Sequence, residues 1–348
     1  MLLLLYSVST GALAQAVNQK STVRTKAVQK SSQLPIIDMH MHAVKANAYG
    51  PPPITFCLPV TGLPVMQQTR PYVQDFLEHL NNGPCTIKVI SPATDEEVLR
   101  RTLLPMKKYN MYGVVSGAET VTWKNADTTR FIPGLSFNAG TVKYSPDSLR
   151  KIFSKQFYKL LGEVSNQYLG IVPTDSVFGQ YLSVAEQLDI PVAIHMGPGA
   201  YGAAYLQNPK IRARDHNPLL LEEVLLKYPK LRIYIMHAGW PMIDELISLM
   251  YQHPQVYVDV AVINWVLPKK EFHRYLQRIV EAGFGKRVMF GSDQMVWPEA
   301  IEVAIQSVQT AAFLTEQQKR DIFYNNAARF LRFSKEEIDR HHGTEIKK

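Results

Sequence analysis

The sequence predicts an α/β fold of the (β/α)8 TIM-barrel kind, with a long insertion after the first strand and a helical extension at the C-terminus. Three observations carry this. Short β-branched apolar runs recur eight times along the chain, and the stretches between them place apolar residues at three- and four-residue spacing, the period of an amphipathic helix. Strand then helix, repeated eight times, is the count of a TIM barrel. The rival, a doubly wound open sheet, would carry a Gly-rich turn after its first strand, and none follows residues 34–42.

Composition agrees with one large folded unit. The chain has 348 residues, 46% hydrophobic and 20% charged, and its 19 Gly and 22 Pro are scattered rather than periodic, which excludes collagen-like and low-complexity classes. The formal charge is +8, but Lys20, Arg24, Lys26 and Lys30 supply half of it within an acid-free stretch. The remainder is too weakly basic for a nucleic-acid surface.

In chain order, residues 1–16 (MLLLLYSVSTGALAQA) form an apolar run ending in Ala12-Leu13-Ala14, the small-x-small pattern of a secretory cleavage site, although a basic n-region is missing. We expect export to the periplasm or outside the cell, with 17–33 as a flexible tether. No later run reaches the ~18 apolar residues of a membrane span. The expected barrel covers 34–333, with strands at 34–42, 111–117, 131–137, 159–165, 191–196, 231–237, 255–262 and 287–293. Residues 43–95 are too long and Pro-rich for a simple βα connection and read as a lid-like insertion over the barrel mouth. It holds both cysteines, Cys57 and Cys85. In an exported protein these can form a disulfide bracing the lid, two buried free thiols being the alternative. Residues 315–333 read as a closing helix, and 334–348 as a charged, frayed tail.

The chemistry gathers at strand ends. In Ile36-Ile37-Asp38-Met39-His40-Met41-His42, alternation puts His40 and His42 on one face about 7 Å apart, a chelating arrangement. A lone H-x-H is weak evidence, but this one closes an apolar strand, where barrel enzymes place reactive groups. Three further strands end in metal-ligand types: His195 after Val192-Ala193-Ile194, His237 after Ile233-Tyr234-Ile235-Met236, and Asp293 after Phe290-Gly291-Ser292. Any one of these alone reads as a buried core residue; four together point to a divalent metal with imidazole and carboxylate ligands. Asp38 shares the histidine face deeper in the barrel and reads as support for a ligand or a buried structural acid.

These pieces resemble the amidohydrolase superfamily, in particular its amidohydrolase-related branch of TIM-barrel metal-dependent enzymes. The resemblance covers about residues 34 to 333 and rests on DMHMH, His195 in IHMGPG, His237 in MHAGWP, Asp293 in FGSDQMVWP and the terminal NNAARFL. It implies a divalent metal, zinc first among the choices, in one or two ions. His40, His42, His195 and Asp293 would be ligands, and His237 would orient a water or serve a second metal. Glu163 in Leu161-Gly162-Glu163-Val164 matches the strand that bridges two metals in binuclear relatives; a supporting or helix-pairing carboxylate is the alternative. The implied reaction is attack of an activated water on a C–N or C–O bond of a small amide, lactone or ester-like molecule, with Asp293 moving the proton and His237 assisting. Two other readings stand beside it: nonoxidative decarboxylation on the same scaffold, and a noncatalytic ligand-binding barrel.

Trp240, Trp265, Met295 and Trp297 follow strand ends and could line a substrate pocket or pack the core. Arg212 and Arg214, with His216, lie in the long connection after His195, where they could take a substrate carboxylate or face solvent. The partner implied is a small molecule, and a homo-oligomer is compatible with the sequence.

Overall fold

The computed structural model describes residues 33–141, 144–197, 199–206 and 209–344. The signal-like segment and all of the tether but Gln33 lie outside the described residues.

The strands are β1 (Ile36–His42), β2 (Thr55–Leu58), β3 (Ile87–Ile90), β4 (Met111–Ser116), β5 (Phe131–Phe137), β6 (Leu160–Val164), β7 (Val192–His195), β8 (Ile233–Met236), β9 (Val256–Asp259) and β10 (Val288–Met289). Eight of them form one sheet in the order β1-β4-β5-β6-β7-β8-β9-β10. Every adjacent pair in it is parallel. The ends meet: Met39 N–H donates to Phe290 C=O at 2.9 Å and Asp293 N–H to His40 C=O at 2.7 Å, closing a TIM barrel. The strands are apolar almost throughout because both faces are covered. Inside, Ile37, Met39, Leu160, Tyr234 and Met289 form a packed plug sealed below by Tyr324 and Phe330. Outside, the second apolar layer joins the sheet to the helices.

The helices sit where amphipathic spacing put them, among them Asp95–Lys108, Ser176–Gln187, Ile243–Gln252, Lys269–Ile279 and Ala300–Gln309. Thr94 and Asp175 cap the first two by accepting the backbone N–H of Glu97 and Val177.

The insertion contains the antiparallel pair β2–β3 and the helix Tyr72–Asn82, and Cys57 and Cys85 are joined in a disulfide with Cα atoms 4.9 Å apart. It docks beside the C-terminal ends of β9 and β10. Phe56 lies 5.8 Å from Trp265 and 4.9 Å from Trp297 between ring centroids, Trp297 donates its indole N–H to Ile54 C=O at 2.9 Å, and Val60 N–H donates to Val266 C=O.

Two expectations need correction. The last barrel strand is two residues long, because the chain leaves the sheet after Met289 and turns through left-handed conformations at Asp293 and Met295. The tail is not frayed over its described part: Lys335–His342 is a helix with a capping box between Ser334 and Glu337. Its His341 stacks on Tyr112 at 3.7 Å and meets the Tyr324 hydroxyl at 2.9 Å.

Candidate metal centre

β1 shifts its register between Asp38 and Met41, so alternation is broken there, and the rings of His40 and His42 lie 5.2 Å apart between centroids. Asp38, wholly buried, accepts the backbone N–H groups of His40 (3.0 Å) and Ser292 (2.9 Å), so it ties the first strand to the last. Burial pushes its carboxyl up to about 7. His42 is fixed by a reciprocal pair with Gln294, whose amide accepts from its N–H and donates to its C=O. Gly291 is required where β10 passes β1: a Cβ there would lie 3.0 Å from that of His40 and 2.9 Å from that of Ala261.

Six predicted side chains converge at the barrel mouth: His40, His42, Glu163, His195, His237 and Asp293. Their ligand atoms fall into two groups with no residue in common, His40–His42–Asp293 and Glu163–His195–His237, each within 4.8 Å. Glu163 spans both. Its Oε1 lies 2.6 Å from His195 Nδ1, and its Oε2 lies 3.4 Å from His42 Nε2 and 3.7 Å from His40 Nε2. Asp293 Oδ1 lies 2.8 Å from His42 Nε2 and 3.8 Å from His40 Nε2.

His195 Nε2 lies 3.1 Å from both Gly197 C=O and the Tyr168 hydroxyl, and His237 Nδ1 faces Ala261 C=O at 3.1 Å, which can take its proton. His237 Nε2 is then a lone pair, 3.0 Å from His195 Nδ1, which also meets Glu163 Oε1 at 2.6 Å. One proton on His195 Nδ1 serves both acceptors, and a cation can take its place among the three groups.

The electrostatics make the same demand. Burial lowers the basicity of His40, but Asp293, Asp259 and Glu163 outweigh it and raise its pKa well above that of a free imidazole. Burial raises Glu163 and Asp293, yet His195 and His40 hold Glu163 well below the usual carboxylate range, and His40, His42 and His237 hold Asp293 below it. Burial, with His195 and His40 nearby, takes His237 down to about 4. Among the described residues no Lys or Arg ion-pairs with Glu163, Asp259 or Asp293. His40 Nε2 has no hydrogen-bond partner. Buried imidazole nitrogens and carboxylate oxygens in this density, without a basic side chain, suit a borderline divalent cation.

Asp259, which ends β9, was not singled out by the sequence, although it sits at a strand end like the others. Its Oδ1 accepts from the N–H groups of His237 and Ala261, and its Oδ2 lies 3.3 Å from His40 Nδ1. Two further groups lie in turns that carry no periodic signal. The Tyr168 hydroxyl meets His195 Nε2 at 3.1 Å, and His216, wholly buried, packs its ring 5.6 Å from His195. On the insertion, Tyr49, 47% exposed, stacks on Trp297, and desolvation of its hydroxyl with the charges of Asp293 and Glu163 raises its pKa above that of a free tyrosine.

The expected pocket-lining residues have other contacts. Trp265 gives its indole N–H to Ser292 C=O and Trp297 gives its own to Ile54 C=O, and both are buried under the insertion. Trp240 reaches Glu271 at 3.5 Å, and Met295 packs half-buried against the outer core. Arg212 is exposed and donates to Pro209 C=O and Ile211 C=O, while Arg214, 83% exposed, pairs with Asp215. Neither arginine contacts the histidine–carboxylate cluster.

A family profile described as Amidohydrolase matches residues 161–333. No curated protein matches the chain. Several solved structures share its fold. A probable 2-pyrone-4,6-dicarboxylic acid hydrolase from Acinetobacter baumannii, with citric acid bound, is 15% identical with a TM-score of 0.54, over 86% of this chain and 99% of that one. A 5-carboxyvanillate decarboxylase from Sphingomonas paucimobilis is 14% identical with a TM-score of 0.54, over 87% and 100%. An amidohydrolase from Burkholderia multivorans with bound zinc is 12% identical with a TM-score of 0.52, over 86% and 99%. At these identities the likeness is one of fold.

Proposed function

The chain belongs to the amidohydrolase superfamily of TIM-barrel enzymes, and from that premise we propose that it is a hydrolase acting on a C–N or C–O bond of a small amide, lactone or ester-like molecule, through water activated at a centre of two divalent ions, zinc in the first instance. The observation that carries the reading is the meeting of three ligand atoms, with His195 Nδ1 2.6 Å from Glu163 Oε1 and 3.0 Å from His237 Nε2, where a divalent ion can take the place of a proton.

Glu163, His195 and His237 would hold one ion and His40, His42 and Asp293 the other, with one oxygen of Glu163 turned to each group. Charge supports two: Glu163, Asp259 and Asp293 together outweigh one divalent ion, and two ions with one hydroxide balance them. When present, the ions supply Lewis acidity, enough to bring the pKa of water from 15.7 toward about 7. Asp293, held ionised by His40 and His42, takes the proton from water and returns it to the leaving group. His237 keeps its lone pair on the site because Ala261 C=O takes its Nδ1 proton. Asp38 and Gln294 hold the first and last strands in register, so the two halves of the ligand set keep their spacing.

The disulfide and the signal-like N-terminus together support an oxidising, extracytoplasmic compartment. A second reading, nonoxidative decarboxylation, draws on the decarboxylase among the structures of like fold. Zinc loading followed by metal analysis, with a screen of lactones, esters, N-acyl compounds and aromatic acids, tests the proposal. Bound zinc with hydrolysis products supports it, CO2 release moves the assignment to decarboxylation, and failure to retain any divalent metal overturns both.

A further inference from the structure

His216 has no part in the metal chemistry above, and its surroundings are unusual. It closes a short 3-10 turn, Ala213–His216, in the long connection after β7, and its side chain is wholly buried. Neither ring nitrogen has a hydrogen-bond partner. Its ring lies 5.6 Å from that of His195 and 5.9 Å from that of Tyr168, whose hydroxyl meets His195 Nε2. It belongs to neither group of ligand atoms. A buried imidazole offers one N–H and one lone pair, and a folded chain that leaves both unmet gives up stability unless something else supplies the partners. Such unmet polar groups concentrate at sites that receive a ligand.

The charge of that ligand follows from what surrounds it. Arg212 is bound to its own loop's carbonyls and Arg214 faces solvent, so the connection that carries His216 brings no cation to the cluster. Where two divalent ions are already balanced by Glu163, Asp259, Asp293 and one hydroxide, a further carboxylate or phosphate group on the substrate would have only hydroxyl and imidazole groups to compensate it.

We propose that His216, together with the Tyr168 hydroxyl, is a specificity-determining residue that hydrogen-bonds an uncharged oxygen function, a carbonyl or hydroxyl, of the substrate held beside the metal centre. This rests on the metal-site reading above and adds the substrate class to it.

The test uses the zinc-loaded full chain and benzohydroxamate, a chelator that binds metal through its two hydroxamate oxygens and whose ring, extending away from them, carries no charge. Calorimetric titration of wild type, His216→Phe and His216→Gln is expected to show binding weakened at least about tenfold in the Phe variant and restored in part by Gln, with equal zinc content in all three. 3-Carboxybenzohydroxamate is expected to bind wild type at least about tenfold more weakly than the parent. That comparison needs no variant and holds even where the Phe substitution disturbs folding. Failure to take up zinc overturns the metal reading and this inference with it. Zinc uptake with equal benzohydroxamate affinity in wild type and His216→Phe, with no binding by wild type, with zinc loss in the Phe variant, or with tighter binding of the carboxylated probe overturns only the inference.

Discussion

Asp259 Oδ2 lies 3.3 Å from His40 Nδ1, while the other oxygen of the same carboxylate accepts the backbone N–H of His237 at 2.8 Å. One side chain therefore aims the Nε2 of His40 at the site and sets the backbone from which His237 projects. Removing such a support behind a ligand weakens metal binding by about 10- to 100-fold. Asp259→Ala is expected to do so in competition with a chromophoric chelator, and an unchanged zinc affinity would show that Asp259 supports neither ligand.

The two ligand groups give a stoichiometric prediction. His42→Ala and His195→Ala remove one nitrogen each from different groups, so each is expected to lose one equivalent of zinc out of two. Glu163→Gln, which weakens the carboxylate that spans both, is expected to lower the affinity of both equivalents. A wild-type protein saturating at one equivalent in metal analysis would reduce the centre to a single ion.

Burial takes His216 down to about 3, with His195 and His237 adding to the effect. In the unfolded chain the same imidazole titrates near 6.5. Between those values the unfolded state binds the extra proton and the folded state does not, so the stability lost at this position grows as pH falls below about 6.5. His216→Phe removes that loss. The melting temperature of the metal-free variant relative to metal-free wild type is therefore expected to rise between pH 7 and pH 5, by about 2 °C or more for each 1 kcal/mol relieved. A difference that stays flat across this range would mean that His216 is accessible to protons in the folded state.

The disulfide closes a span of 28 residues within the insertion. Closure entropy for a loop of that size stabilises by about 3 kcal/mol. Cys57→Ser with Cys85→Ser is expected to lower the melting temperature accordingly, and thiol titration of denatured, unreduced wild type to find no free thiol. Two free thiols in that titration would contradict the pairing.

Much of the barrel and the ligand set was legible because the strands are apolar runs and a His or Asp closes four of those runs, although β1 itself departs from simple alternation between Asp38 and Met41. Asp259 escaped because the run 256–262 stays apolar on both sides of it, so the strand reads on to Val262 although pairing stops at Asp259. For Trp265 and Trp297 the sequence leaves pocket and core equally open, and the structure selects the core: each indole N–H serves a backbone carbonyl and the insertion supplies the covering surface. Tyr168 lies in a short turn whose placement depends on tertiary packing alone, and His216, read from the sequence beside Arg212 and Arg214, is buried against His195 while both arginines stay out in solvent. The helix Lys335–His342 did carry a local signal in Ser334 and Glu337, masked by its charged composition.

The first and last strands meet through Asp38 and Ser292, 254 positions apart, and this has a consequence for how the protein is made. At about 5–20 residues per second, the ribosome takes on the order of ten to fifty seconds to go from one to the other. During that interval His40 and His42 exist without Asp293, and the barrel lacks the strand that closes it. The His40–His42–Asp293 group is therefore completed only when the last strand arrives, so capture of its ion comes late in synthesis and draws on the ions of whatever compartment the chain has then reached.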